Sequence, residues 1–205
     1  GKMADATHLG IFANQNKLAV AALDGNIYIW DLDKEKVETK LFRTRRSRSL
    51  VRDIAVTHSG EEIVLATSTN SVEVWNVPQT TMTTHIQTNY KSLGKLALQE
   101  INGLNIITSD PSNETAAWSS KSGSKITSIQ KLKRGIRSLV PTQDGSKLIM
   151  CGDHTEVLIY DLEKLSPIYS LGLSNFNCSA LALSQDDSIL AIASSVGVVV
   201  VNLSL

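Results

Sequence analysis

The 205-residue sequence predicts an all-β protein that is built from repeated antiparallel sheets. Short apolar runs each end in one large or branched side chain, and these side chains are spaced 45, 43, 42 and 41 residues apart: Trp30, Trp75, Trp118, Tyr160 and Val201. Tight polar turns recur every 42 to 44 residues: Gln15-Asn16, Ser59-Gly60, Asn102-Gly103, Asp144-Gly145 and Asp186-Asp187. Two unrelated markers that share one period over the whole chain indicate a structural repeat.

Each repeat contains four strand-like segments in a fixed order. The first segment alternates apolar and polar residues, as in VRDIAV, which is typical of a half-buried strand. The second is apolar almost throughout, as in KLAVAAL, which indicates burial on both faces. The third carries the large side chain, and the fourth is more polar, as in VETKLF. No helical period persists for three turns, so each repeat predicts a four-stranded antiparallel sheet with an exposed outermost strand.

A unit of about 40–45 residues with this pattern is one blade of a β-propeller, and the chain resembles the WD-repeat family over essentially its whole length. The resemblance depends on the pairs Trp30-Asp31, Trp75-Asn76 and Tyr160-Asp161, and on two residues that match the turn aspartate of the family, Asp24 and Asp153. The Gly-His pair that usually opens a WD repeat is absent from every unit. We therefore expect the family's hydrogen-bond network of His, turn Asp and Trp to be incomplete, with Trp30, Trp75, Trp118 and Tyr160 in the core.

The blade count predicts an incomplete propeller. The whole chain, 1–205, is interpreted as one propeller segment with five blade cores: 7–42, 51–87, 94–130, 136–171 and 178–205. The last unit ends at VVVVNLSL without a fourth strand, and seven blades are usual in the family. Either the five blades belong to a longer, seven-bladed ring, or a partner supplies the missing blades, or stretches between the blades have been lost.

Composition limits the class of protein. Lys+Arg and Asp+Glu number 20 each, so the net charge of zero argues against wholesale nucleic-acid binding. No apolar run reaches the roughly 18 residues of a membrane span, and the first residues lack a signal-peptide pattern. Two cysteines, Cys151 and Cys178, are too few for a disulfide-dependent scaffold of this length. These features favour an intracellular protein of the cytoplasm or nucleus, without a membrane partner.

The basic residues concentrate at one end of the predicted strands. The residue eight positions before the turn marker is taken as one equivalent position, at the entry to the innermost strand: His8, Arg52, Lys95, Arg137 and Ser179. The loops that lead into these strands add Arg43, Arg45, Arg46 and Arg48 in the first repeat, and Lys131, Lys133 and Arg134 in the third. Several acids fall at the opposite strand ends, which predicts one basic and one acidic face.

The basic face predicts an anionic partner, because guanidinium groups pair with carboxylate and phosphate. The leading hypothesis is a protein-interaction scaffold in a multisubunit assembly that receives an acidic or phosphorylated segment. The alternative is an RNA-associated assembly factor that grips phosphates, although single-strand binders add aromatic platforms and only Tyr90 lies among these loops. The loops are also explained by plain solvation of connectors or, for RTRRSRS, by a localisation signal.

The sequence predicts no enzyme. No nucleophile elbow, phosphate-binding loop, dinucleotide fingerprint or zinc-protease motif occurs. Cys151-Gly-Asp-His154 is the densest cluster of potential metal ligands, but a structural zinc needs four, and Cys178 and the other histidines fall in other repeats. We therefore expect no cofactor, no metal and no small-molecule substrate, with Cys151 as a buried small side chain.

Overall fold

A computed structural model describes residues 5–43, 49–100, 103–110, 114–129, 135–152, 156–173 and 177–203. Within these ranges every regular element is a β-strand, so the all-β prediction is confirmed. The chain forms two compact units, Gly1–Leu96 with Ser119–Ser124, and Ala97–Trp118 with Lys125–Leu205.

The first two sheets each contain four strands in chain order, with antiparallel neighbours. The first sheet consists of β1 (Ala6–Ile11), β2 (Lys17–Ala22), β3 (Ile27–Asp31) and β4 (Lys36–Leu41). The second consists of β5 (Val51–Val56), β6 (Glu62–Thr67), β7 (Ser71–Asn76) and β8 (Thr81–Gln87).

The two sheets pack face to face through one apolar cluster. It contains Ile27, Ile29 and Leu41 from the first sheet, and Ile63, Leu65 and Trp75 from the second. Alternation along the strands leaves Val20, Ala22 and Tyr28 on the other face of the first sheet, where they form a separate cluster. The apolar second strand is therefore buried on both faces, as its composition indicates.

The third and fourth sheets repeat the same order. The third consists of β9 (Leu96–Gln99), β10 (Asn105–Ser109), β11 (Thr115–Ser119) and β12 (Lys125–Ile129). The fourth consists of β13 (Ile136–Pro141), β14 (Lys147–Gly152), β15 (Glu156–Asp161) and β16 (Ser166–Gly172).

The fifth sheet has three strands among the described residues, β17 (Cys178–Leu183), β18 (Ile189–Ser194) and β19 (Gly197–Asn202). The sequence predicted this difference, because no fourth strand-like run follows VVVVN. The prediction of antiparallel four-stranded blades is thus confirmed for the other four sheets. How many blades the complete ring contains stays a prediction.

The large side chains of the repeat occupy equivalent places in the third strands. Trp75, Trp118 and Tyr160 are buried, whereas Trp30 is only partly buried beside Tyr28. In each four-stranded sheet the register to the outer strand shifts by one residue next to this side chain. The repeat therefore extends to the β-bulge, in which two residues of one strand oppose one of its neighbour.

A disulfide joins the fourth and fifth sheets. Cys151 of β14 and Cys178 of β17 are bonded, with their Cα atoms 5.9 Å apart, in an apolar cluster with Ile149, Leu181 and Ile192. Cys151 is buried, as the sequence predicted, but its bond to Cys178 was not predicted. The two positions are 27 residues apart in sequence, and the packing of β14 against β17 brings them together.

We predict that replacing both cysteines, as Cys151→Ser with Cys178→Ser, lowers the free energy of unfolding by about 3 to 4 kcal/mol. The disulfide joins two positions that are 27 residues apart and so restricts the conformations of the unfolded chain. Urea unfolding of the oxidised protein with and without dithiothreitol measures the difference. The double variant is the control, because its midpoint should not respond to the reductant. A wild-type midpoint that is equally insensitive would contradict the prediction.

Candidate partner-binding site

The entries of four innermost strands carry a β-bulge. In β1, β5, β13 and β17 the register to the second strand skips one residue: Thr7, Arg52, Arg137 and Ser179 respectively. The hydroxyls of Thr7 and Ser179 donate to the carbonyls of Ala21 and Ala193, each at 3.1 Å. Arg52 and Arg137 are exposed at the same position, so two sheets present a guanidinium where two others hold a hydroxyl against the backbone.

The prediction that His8 and Lys95 share this position was wrong by one residue. His8 pairs with Ala21 directly after the bulge residue. For Lys95 the evidence is a contact that recurs elsewhere in the chain. Leu96 N donates to Asp53 Oδ2 (2.9 Å), and Leu181 N donates to Ser138 Oγ (3.1 Å). In both contacts the donor lies 43 residues after the acceptor. Leu96 therefore corresponds to Leu181, and Lys95 to the residue after Ser179. In the first sheet the error came from the turn marker: the amide of Gln15, not that of Asn16, bonds back three residues as those of Gly60, Gly145 and Asp187 do.

His8, Arg52, Asp53 and Lys95 nevertheless lie close together in the first unit. Burial is the main cause that lowers the pKa of His8; Asp53 acts to raise it, and Lys95 and Arg52 act to lower it. The net effect is a lowered pKa, so the imidazole is neutral at pH 7. Asp53, Lys95 and Arg52 affect the pKa of His8 because all four residues lie near the entries of the innermost strands. We call His8, Arg52 and Lys95 the basic rim.

Asp53 is the acid of this cluster, and the backbone holds its carboxylate. Oδ1 accepts from Ile54 N (3.1 Å) and Oδ2 accepts from Leu96 N (2.9 Å), so one side chain serves two innermost strands. The buried Nδ1 of His8, by contrast, has no hydrogen-bond partner among the described residues.

Arg43 was predicted to belong to the basic face, and this was wrong. Its side chain is 0% exposed and forms a paired ion contact with Glu73, which is 1% exposed. Nε and Nη2 donate to the two Glu73 oxygens at 2.8 and 2.6 Å. Nη1 donates to the carbonyls of Gly25 (3.2 Å) and Ser49 (2.8 Å), and Nη2 also reaches Ser49 Oγ (3.1 Å). All three donor nitrogens are therefore used inside the protein.

Seven other predicted residues lie outside the described residues: Arg45, Arg46, Arg48, Lys131, Lys133, Arg134 and Asp153. Their role stays a prediction. Tyr90, the aromatic residue that sequence reasoning placed among the basic loops, is buried and offers no stacking surface. Sequence reasoning missed two exposed apolar residues beside Arg43, namely Phe42 and Leu50. They could have been found from the sequence, because both are apolar residues in an otherwise basic connector.

Other polar contacts take the place of the family's Trp network. Trp75 Nε1 donates to Glu73 Oε2 (2.9 Å), and Trp118 Nε1 donates to Thr108 Oγ1 (2.8 Å). The turn aspartate Asp24 accepts from the hydroxyl of Tyr28 (2.6 Å) and from Asn26. Burial acts to raise the pKa of Asp24, but these hydrogen bonds outweigh it and lower the pKa. The indole and phenol donors of Trp75, Trp118 and Tyr28 are thus satisfied within their own sheets.

The acidic residues at the opposite strand ends stabilise their own turns. Asp144 accepts from Thr142 and from Ser146, and these bonds lower its pKa to about 2. Asp186 accepts from Ser184 and Ser188, which lower its pKa to about 2 as well. Within the described part of the chain, no three His, Cys, Asp or Glu side chains are placed to hold a metal ion. The described residues also contain no helix that is long and apolar enough to cross a membrane.

Comparison with known proteins identifies the class of fold and then the family. The chain is similar to a chain in the crystal structure of the mitotic checkpoint complex, with a TM-score of 0.79 and 21% identity over 98% of this chain and 62% of that one. It is also similar to the Cps50 (Swd1) β-propeller domain of Myceliophteria thermophila, with a TM-score of 0.83 and 15% identity over 95% and 63%. The chain thus spans less than two thirds of either solved chain, and it has the fold of a WD-type β-propeller.

The family follows from the sequence match. Residues 5–202 match the model of the NWD2 C-terminal β-propeller, so the chain belongs to that family. This match confirms the resemblance to WD-repeat propellers that the Trp-Asp pairs indicated. No curated protein sequence matches the chain.

We predict that Arg43→Met lowers the free energy of unfolding by about 3–5 kcal/mol, because it leaves the buried Glu73 carboxylate without its counter-charge. Chemical denaturation monitored by tryptophan fluorescence measures the change. Arg52→Met is the matched control, since that guanidinium is exposed and its loss should change stability by at most about 0.5 kcal/mol. The double variant Arg43→Met with Glu73→Leu should recover part of the loss. Equal stability of Arg43→Met and Arg52→Met would show that the ion pair is not a structural contact.

A second prediction concerns acid stability. The folded pKa of Asp144 and Asp186 is about 2, below the ordinary value of 3.8, so their stabilisation is complete above that value and is lost as the pH falls through about 2. Urea unfolding at a series of pH values from neutral to 2 should therefore show a shallower loss of stability for Asp144→Asn with Asp186→Asn than for the wild type. Parallel profiles would mean that the turns do not hold these carboxylates.

Proposed function

We propose that this chain is a non-enzymatic scaffold that mediates protein–protein interactions in a multisubunit assembly, and that its basic rim binds an acidic or phosphorylated segment of a partner. The β-propeller fold is typical of protein-interaction scaffolds. The proposal that the basic rim binds such a segment rests on Arg52, which lies at an exposed bulge beside His8 and Lys95.

Charge balance within the rim supports an anionic partner. Asp53 is the acid that acts on His8, and each of its two oxygens accepts a hydrogen bond from a backbone amide. Arg52 remains exposed and forms no ion pair with another described residue. An exposed guanidinium with free donors suits carboxylate or phosphate, and a neighbouring positive charge increases the rate of encounter.

Two further features bear on the assembly and the cellular location that we propose. One solved chain with the same fold comes from the mitotic checkpoint complex, and that protein therefore acts in an assembly of several proteins. We extend the idea of an assembly to this chain as part of the proposal. We also propose an intracellular location; the disulfide between Cys151 and Cys178 is the feature that instead favours an oxidising compartment. The redox state of the two thiols in cell extracts, trapped by alkylation, decides between these locations.

Charge reversal tests the proposal. Arg52→Glu and Lys95→Glu in the basic rim, together with Arg137→Glu at the equivalent bulge of the fourth sheet, should reduce the affinity for a fluorescent glutamate-rich peptide, or its phosphoserine counterpart, by about a hundredfold, because charge-assisted contacts are replaced by repulsion. The matched control reverses three exposed lysines in turns and an outer strand, Lys36, Lys121 and Lys164, and has the same net charge. Fluorescence anisotropy measures both, and thermal unfolding checks that both variants fold.

Two outcomes contradict the proposal. If both triple variants weaken binding equally, overall charge and not the rim is responsible. If the protein retains single-stranded RNA with a steep dependence on salt, and the peptides do not bind, the partner is a nucleic acid instead.

A further inference from the structure

The junction between the first and second sheets carries an exposed apolar surface. Phe42 directly follows β4 and is 70% exposed, and Leu50 directly precedes β5 and is 49% exposed. Arg52 of the basic rim stands two residues after Leu50. We call Phe42, Leu50 and Arg52 the Phe42 surface.

The buried guanidinium of Arg43 fixes the backbone on both sides of this surface. Arg43 follows Phe42, and its Nη1 donates to the carbonyl of Ser49, which precedes Leu50. Leu50 in turn exchanges two hydrogen bonds with Ser68, from Leu50 N to Ser68 Oγ (3.1 Å) and from Ser68 N to the Leu50 carbonyl (2.8 Å). Phe42 and Leu50 are therefore held around one anchored side chain, although they lie on either side of a loop.

The ring of Phe42 is supported from one side. The ammonium of Lys40 lies 4.9 Å from the centroid of the Phe42 ring and 4.8 Å from that of Tyr28. Lys40 also lies 3.8 Å from Asp24, which accepts a hydrogen bond from the Tyr28 hydroxyl. A cation between two rings favours one orientation of the exposed ring, so little conformational freedom is lost when a partner packs on it.

The repeat does not require an apolar residue at these positions. Register places Gln87 of the second sheet and Gly172 of the fourth at the position of Phe42, and both are exposed. Gln87 shows that this position stays exposed in a sheet that packs against its neighbour. Register likewise places Asn177 at the position of Leu50. Phe42 and Leu50 are thus apolar where the same fold elsewhere carries polar residues or glycine.

We propose that the Phe42 surface docks an acidic segment that carries a large apolar side chain. The apolar side chain packs on Phe42 and Leu50, while neighbouring carboxylates pair with Arg52. Exposed aromatic and arginine side chains in fixed positions are the residue types that dominate binding energy at protein interfaces. This inference rests on the proposed function, because the acidic part of the segment is the partner assigned there to the basic rim.

Two fluorescent peptides of glutamate and glycine test the proposal, one with a central Phe-Glu-Leu and one with Ser-Glu-Ser. The wild-type chain should bind the Phe-Glu-Leu peptide about tenfold more tightly, as expected for one apolar anchor. Phe42→Gln with Leu50→Asn should abolish this preference and leave the affinity for the Ser-Glu-Ser peptide unchanged. Both substitutions copy residues that the fold accepts at equivalent positions. Gln87→Ser is the matched control and should keep the preference.

The outcomes separate this inference from the proposed function. Equal affinity of the wild type for both peptides, or a preference that survives in the double variant, overturns the Phe42 surface and leaves the basic rim intact. Failure of both peptides to bind overturns the proposed function and this inference with it. Arg52→Glu should weaken both peptides alike, since the charge contact is common to them.

Discussion

Face-to-face packing of consecutive sheets is the constraint on which the other features depend. In the first unit, Ile27 and Ile29 of one sheet pack against Ile63 and Leu65 of the next, and all four are almost fully buried. Burial of such side chains is worth about 1.5–3 kcal/mol each relative to exposure. Because both faces of a second strand are apolar, the bulges and the Asp53 contacts lie at the strand ends. Glu73 is an exception, since it is buried within the third strand of its sheet and pairs there with Arg43.

The Arg43–Glu73 pair shows how this chain compensates for the missing Gly-His pairs. Glu73 is an acid in the middle of the apolar strand SVEVWN, and it accepts from both Arg43 and Trp75. Without Arg43 that carboxylate would be a buried unpaired charge, which is far costlier than an apolar residue of similar size. Lysine could not replace Arg43, because a guanidinium bonds Glu73, Gly25 and Ser49 at once in a planar arrangement. The pair joins the first sheet to the second.

The sequence was sufficient for the repeat and the strand order, because both depend on local patterns of burial. It was insufficient wherever a contact joins distant residues. Arg43 is indistinguishable from the other arginines of RTRRSRS until Glu73, thirty residues later, is seen beside it. Cys151 and Cys178 meet because two neighbouring sheets pack, which no spacing rule reveals. The one-residue error at His8 arose because Asn16 was taken as the turn marker, whereas Gln15 is the equivalent of Gly60, Gly145 and Asp187.

The bulge explains the position of Arg52 in the basic rim. An extra residue in one strand of a pair has no partner opposite it, so its side chain is redirected at the strand entry. A small hydroxyl residue such as Thr7 or Ser179 turns back to a carbonyl of the second strand and completes the sheet. Arginine has no acceptor atom and a long stem, and Arg52 and Arg137 are exposed at this position. The fold thus accepts either a hydroxyl residue or an arginine at the bulge.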